Sequence, residues 1–351
     1  MKSLKLKSQH VPVMVTLILF LTMFAFGALR YDNFFSTQVF LNLFVNNAFL
    51  IIAAVGMTFV IISGGIDLSV GSVIALTSMV AASLLQDGQF SALTVIPISL
   101  LVGTTLGFIM GCVIHFFNLQ PFIVTLAGLF LARGLAYLVS IETISINNPF
   151  FSYMASARIP ILDGFISISV IISLIVVALG IFIAKSTKFG RNIYAIGGNE
   201  QSAVLMGLPV GRTKILIYTL SGFCASLAGL VFTFYMLSGY ALHANGLELD
   251  VIAAVVIGGT LLTGGMGYVA GSVFGVLILG IIQTIIVFEG TLSSWWTKIA
   301  VGVLLLAFIV FQRVFITLSE NKNTIKPSGT NEQEALKLKS GVKPGTTAGR
   351  G

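Results

Sequence analysis

Few residues in this chain could do chemistry, and they fall into two groups. The first is a stretch reading KSTKFGRNIYAIGGNEQSAVLMGLPVGRTK, in which Lys185, Lys188, Arg191, Arg212 and Lys214 stand against one acid, Glu200. The second is a scatter of polar side chains inside or beside long apolar runs: the adjacent amides Asn46 and Asn47, the carboxylate Asp67 with Ser69 in SGGIDLSVGS, and Arg133. An amide or charge at membrane depth is costly and has to bond something, so each is a candidate for a translocation pathway. Each also has a structural reading. The Asn pair would equally serve as glue between helices. Asp67 would equally cap the helix that follows it, a role compatible with lining a pathway. Arg133 has to snorkel or find a carboxylate, and an ion pair is favoured over substrate contact.

Catalytic motifs are absent. There is no GxxxxGK[ST] phosphate loop, no H-E-x-x-H, no paired-cysteine metal site and no GxGxxG in a strand–helix context. Cys112 and Cys224 lie in apolar runs and read as small buried residues, and the three histidines fall in unrelated segments. The expectation is a chain that is not an enzyme and binds no cofactor or metal of its own. Any ATP hydrolysis would have to be done by a partner.

Inside the basic stretch lies a short helix with both ends written. Asn199 caps it, Glu200 suits its first turn, Gly207 suits the C′ position and Pro209 prevents continuation. About two turns, Glu200 to Met206, are marginal alone in water. Ala203, Val204, Leu205 and Met206 therefore need a surface, either the chain's own bundle or a cytoplasmic partner.

The elements around these residues are dictated by composition. Of 351 residues, 56% are hydrophobic and 9% charged, against about a quarter charged in a soluble domain. So much apolar surface requires lipid as solvent. The net charge of +7 gathers in the tails and the 185–214 loop, as cytoplasmic loops require, and is no nucleic-acid signal. An all-α integral membrane protein of about ten segments is expected: 11–29, 39–62, 70–85, 93–117, 122–139, 165–184, 215–237, 251–262, 269–288 and 295–311. The eighth, about 12 residues or roughly 18 Å of helix, falls short of a bilayer core and reads as a half-helix or re-entrant segment. Residues 1–10 are expected as a cytoplasmic N-terminal tail, 11–316 as the transmembrane domain and 317–351 as a disordered cytoplasmic tail. Both termini would then be cytoplasmic, with 140–164 and 238–250 as external loops. Gly103, Gly107 and Gly111 would let a second backbone approach the fourth span. SGGIDLSVGSV at 63–73 echoes TGGMGYVAGSV at 263–273, either as a parallel repeat or as coincidence between Gly-rich connections.

The run AIGGNEQSAVLMGLPV resembles the coupling-helix segment of ABC sugar-importer permeases of the ribose/branched-chain type. The resemblance continues in SGGIDLSVGS and in LDVIAAVVIGGTLLTGGMGYVAGS, and covers most of residues 10–315. FEGTLSSWWTKIA, Phe288 to Ala300, is similar to permease subunits for galactofuranose uptake. The resemblance implies a permease subunit of an ATP-driven ABC importer translocating a monosaccharide across a bacterial inner membrane. Its partners would be a cytoplasmic ABC ATPase using ATP and Mg, a second permease subunit forming a heterodimer, and a periplasmic sugar-binding protein. Carried onto this sequence, the ATPase-coupling residues are Gly197, Gly198, Asn199, Glu200, Ala203, Val204, Met206 and Gly207. The pathway candidates remain Asn46, Asn47, Asp67, Ser69 and Arg133. An ion-coupled secondary sugar transporter is the alternative, but ionisable residues within the spans are thin for ion coupling. A purely scaffolding membrane subunit is a third reading.

Overall fold

The computed structural model describes residues 11–86, 88, 90–293 and 295–324. The expected N-terminal tail, and the C-terminal tail beyond residue 324, lie outside the described residues. In order, the elements are α1 (Val11–Arg30), α2 (Thr37–Ile62), α3 (Val70–Gln86), α4 (Ala92–Phe116), α5 (Pro121–Val139), β1 (Ile144–Ser145), α6 (Pro149–Ser156), β2 (Arg158–Ile161) and β3 (Gly164–Ser167). There follow α7 (Ile168–Ser186), α8 (Lys188–Gly198), α9 (Glu200–Leu205), α10 (Val210–Met236), β4 (Ser238–Gly239), α11 (Leu247–Ile257), α12 (Val269–Glu289) and α13 (Trp295–Thr324). Among the described residues, eight helices are long and apolar enough to cross a membrane, and α3 is a shorter apolar helix. The chain is an all-α integral membrane protein. By contacts it divides after Phe308, and the last part of α13 belongs to a second unit beginning at Ile309.

Within the first unit α2 is the central post. It is buried continuously from Leu50 to Ile62 and packs on α10, α12 and α7. In lipid, apolar side chains gain little by leaving the solvent for a neighbouring helix, so close backbone approach decides what packs where. The α4–α10 contact shows this. Methyl groups built on Gly103 and Gly111 would press on the backbones of Gly222 and Ile215, as the spacing of those glycines predicts.

Two connections differ from expectation. The 185–214 loop is mostly helical: Thr187 caps α8 by accepting from Gly190 N–H at 3.0 Å, an element not anticipated. Residues 238–250 do not form an external loop. Gly239 lies against Ser78, Met79 and Ala82 in the C-terminal half of α3, whereas Ala244 reaches Gly71 at its start. The connection thus runs inward along α3 by roughly 12 Å. Two things permit this. The glycines leave room for backbone to lie on backbone, and Arg133 of α5 supplies its Nη1 to the carbonyls of Ala241 and His243. Buried irregular backbone must be satisfied by protein. Arg133 thus bonds two main-chain oxygens directly, and a carboxylate is also near it, since Glu248 of α11 acts on its charge without a direct ion pair. The same path explains the short α11, which starts inside the bundle with Glu248 buried. Its Asp250 pairs with Lys298 of α13 at 2.5 Å.

The two echoing segments are neighbours in space. Gly64 and Gly264 both have φ +84°, and a methyl group on Gly264 would lie 2.9 Å from Gly64 Cα. Farther along the helices that flank them, the Thr58 hydroxyl of α2 and the Ser272 hydroxyl of α12 lie 2.7 Å apart.

Ser156 and Ser202 are exposed and separated by the single crossing helix α7. In a background lacking Cys112 and Cys224, Ser156→Cys and Ser202→Cys are expected to react with an impermeant thiol reagent from opposite sides of the membrane. Reaction from the same side would remove α7 as a span.

Candidate functional site

The polar side chains predicted from sequence fall into separate places. Asn46 and Asn47 line a cavity of about 420 Å³ between α2, α10 and α12. Asn42 joins them from α2, Phe232 and Tyr235 face it from α10, and Gln283, Thr284 and Phe288 close it from α12. Asn47 donates to the Leu43 carbonyl at 2.9 Å, and Asn42 accepts from Gln38 at 2.7 Å. Neither Asn46 nor Gln283 has a side-chain bond to another described residue. The wall therefore offers amide donors and acceptors between aromatic faces and no ionised group. That is the chemistry of a neutral, hydroxyl-rich ligand, because each sugar hydroxyl both donates and accepts. Gln283 and Thr284 interrupt the apolar run of α12 as Asn46 and Asn47 interrupt that of α2, so the signal for them was legible and passed over.

Asp67 and Ser69 lie elsewhere, in the turn between α2 and α3. Asp67 is 1% exposed. One carboxylate oxygen accepts from Ser69 N–H at 2.9 Å and from Ser69 Oγ at 2.6 Å, and the other accepts from Ser221 Oγ of α10 at 2.7 Å. This is a bond two residues along the chain plus a tie to α10, not the expected cap on the first turn of α3. Burial pushes the Asp67 carboxyl above the ordinary carboxylate range, opposed by these three hydrogen bonds. Arg133 holds the inward connection. Of the five pathway candidates, then, only Asn46 and Asn47 share the cavity.

The capped helix forms where the sequence places it. Asn199 Oδ1 accepts from Ser202 N–H at 2.8 Å, Gly207 takes φ +74°, and Glu200 pairs with Lys214 at 2.7 Å on the surface. Its faces are divided otherwise than expected. Ala203 is 0% exposed and packs on Ile196 and Val210, so it fastens α9 to its own loop and cannot belong to an outward surface. Val204, Leu205 and Met206 are 56%, 88% and 66% exposed. Leu205, left out of the predicted coupling set, is the most outward of the three. Helical phase turns Val204 and Leu205 away from the inward Ala203, and Met206 is exposed because it is the C-cap residue, where the chain leaves the helix. The cavity and α9 stand toward opposite ends of α2, with Asn46 and Ile62 about 24 Å apart along its axis.

Residues 39–309 match the family described as branched-chain amino acid transport system / permease component. The chain is 50% identical over 318 residues to the inner membrane ABC transporter permease protein YjfF of Escherichia coli (strain K12), covering 90% of this chain and 96% of that protein. It is 40% identical over 329 residues to the fructose import permease protein FruG of Bifidobacterium longum (strain NCC 2705), covering 92% and 96%. It is 36% identical over 301 residues to the ribose import permease protein RbsC of Escherichia coli (strain K12), covering 84% and 92%. No solved structure matches the chain. A family match running from α2 into α13, on a scaffold of membrane-crossing helices, shows that the chain belongs to the branched-chain amino acid transport system / permease component family and is an ABC transporter permease of the ribose/branched-chain type.

Proposed function

We propose that this chain is the membrane permease subunit of an ATP-driven importer for a monosaccharide, galactofuranose or a closely related sugar. In this reading it pairs with a second permease subunit and receives sugar from a periplasmic binding protein. A cytoplasmic ATPase drives it through the exposed face of α9, both termini lie in the cytoplasm, and the chain itself hydrolyses nothing. The observation that carries the reading is the amide- and aromatic-lined cavity between α2, α10 and α12, which fits a neutral polyol and holds no carboxylate for an ion-coupled transporter. The relatives' names, fructose and ribose import permease, support a sugar. The narrower choice rests on FEGTLSSWWTKIA, whose first residue, Phe288, is part of the cavity wall.

The test is uptake of radiolabelled sugars by proteoliposomes holding the complete importer. Uptake of galactose supplied in its furanose form, in preference to ribose and fructose, is expected. Preferential ribose or fructose uptake would overturn the galactofuranose assignment and keep the importer. Gln283→Leu removes an amide from the wall and is expected to lower uptake about tenfold, the loss of one buried hydrogen bond to substrate. Unchanged uptake in that variant would take the cavity out of the pathway.

A further inference from the structure

Three glycine-bearing turns meet at one point of the bundle. Gly64 follows α2, Gly264 and Gly265 lie between α11 and α12, and Gly197 sits at the end of α8, two residues before the cap of α9. Gly265 N–H donates to the carbonyl of Ile62, the last residue of α2, at 2.8 Å. A methyl group on Gly197 would overlap that same carbonyl oxygen. A methyl group on Gly264 would lie 2.9 Å from Gly64 Cα and 3.0 Å from the Gly197 carbonyl oxygen, and one on Gly265 would lie 2.9 Å from Gly198 Cα. Gly64, Gly264 and Gly265 have φ of +84°, +84° and +76°, a region that side chains disfavour. One side-chain bond reinforces the meeting: Tyr194 of α8 donates its hydroxyl to the Gly267 carbonyl at 2.8 Å.

The three turns therefore touch main chain to main chain. Side chains between two elements can absorb a displacement by changing rotamer. Backbone atoms in van der Waals contact cannot, so α8 has to carry the two other turns with it. Those turns end α2 and begin α12, the helices that form two walls of the cavity.

We infer that the meeting of Gly64, Gly197 and Gly264–Gly265 is the joint that passes movement of α8 and α9 to α2 and α12, so that displacement at α9 changes the width of the cavity about 24 Å away along α2. Gly197, Gly264 and Tyr194 are then positioning residues for transport. The inference rests on the proposed docking of an ATPase on α9.

The readout is the number of sugar molecules imported per ATP hydrolysed by the reconstituted importer, with radiolabelled galactose as the probe. A joint acts on this ratio, whereas a loss of folded protein lowers import and hydrolysis together. Gly197→Ala is expected to retain its ATPase on co-purification and to import about tenfold fewer sugars per ATP, an ordinary size for a coupling between sites. Tyr194→Phe, which removes one oxygen and keeps the ring, is expected to lower the ratio about threefold. Gly134→Ala, where an added methyl meets nothing within 4 Å, is expected to keep the parental ratio and controls for the exchange itself. If Gly197→Ala does not assemble, Tyr194→Phe decides alone. A parental ratio in Tyr194→Phe, or in an assembled Gly197→Ala, overturns the joint. Failure of the underlying docking is seen separately, as full ATPase co-purification by a Leu205→Glu chain.

Discussion

Leu205→Glu is expected to insert into the membrane at the parental level, to lose co-purification with its ATPase, and to lose uptake with it. Leu205 is 88% exposed on the outward side of a six-residue helix, so a glutamate there meets only water in the chain alone. Once that face is covered by a partner, the same carboxylate is buried without a counter-charge. A cost of about 3 kcal/mol, roughly a hundredfold in affinity, follows. Ala203→Glu would test something else. Ala203 is sealed against Ile196 and Val210, and a charge there would unseat α9 from its own loop and abolish docking indirectly. A Leu205→Glu chain that still binds the ATPase fully and transports fully would show that this apolar face is idle.

Asp67→Ala is expected to destabilise the chain by about 3 kcal/mol, because two buried serine hydroxyls and one N–H lose their acceptor together. Thermal unfolding of the detergent-solubilised protein should show this as a fall of roughly 6 °C. Asp67→Asn should behave otherwise. Its oxygen can accept both bonds from Ser69, and its amide can donate to Ser221 Oγ once that hydroxyl turns. Asparagine keeps the size of the side chain and a partner for each of these three groups, and removes only the charge. Near-parental unfolding and uptake are expected for it. Collapse of uptake with stability intact would instead assign the negative charge of Asp67 a part in transport.

Much of the fold was readable in the chain because it is encoded locally. Lipid as solvent follows from composition, and the spans follow from run length. The short eighth segment follows from a run too brief to cross. The start and stop of α9 follow from Asn199 and Gly207, whose capping bond and left-handed turn both appear. The Gly103–Gly107–Gly111 face follows from a spacing of four. Thr187 as the cap of α8, hidden among basic residues, was missed although the signal was there.

What each helix packs against was decided only by the tertiary structure. In water, the apolar stripe of a helix marks its buried side. In lipid it does not, because solvent and core are equally apolar. The spans of α2 and α4 are comparably apolar, yet 83% of one window and 28% of the other is buried. No period in the sequence separates them. For the same reason Asp67 could not be paired with Ser221. Nor could Arg133 be matched to the carbonyls of Ala241 and His243, since these partners lie far apart in the chain and meet only when the helices pack. The sequence by itself determined a membrane permease with a capped loop helix. The packed bundle decided that Ala203 turns inward and Leu205 outward, and that two amide-bearing spans enclose a cavity. It also decided that the turns at their ends touch through glycine, because close backbone approach, not hydrophobic burial, selects partners in a bilayer.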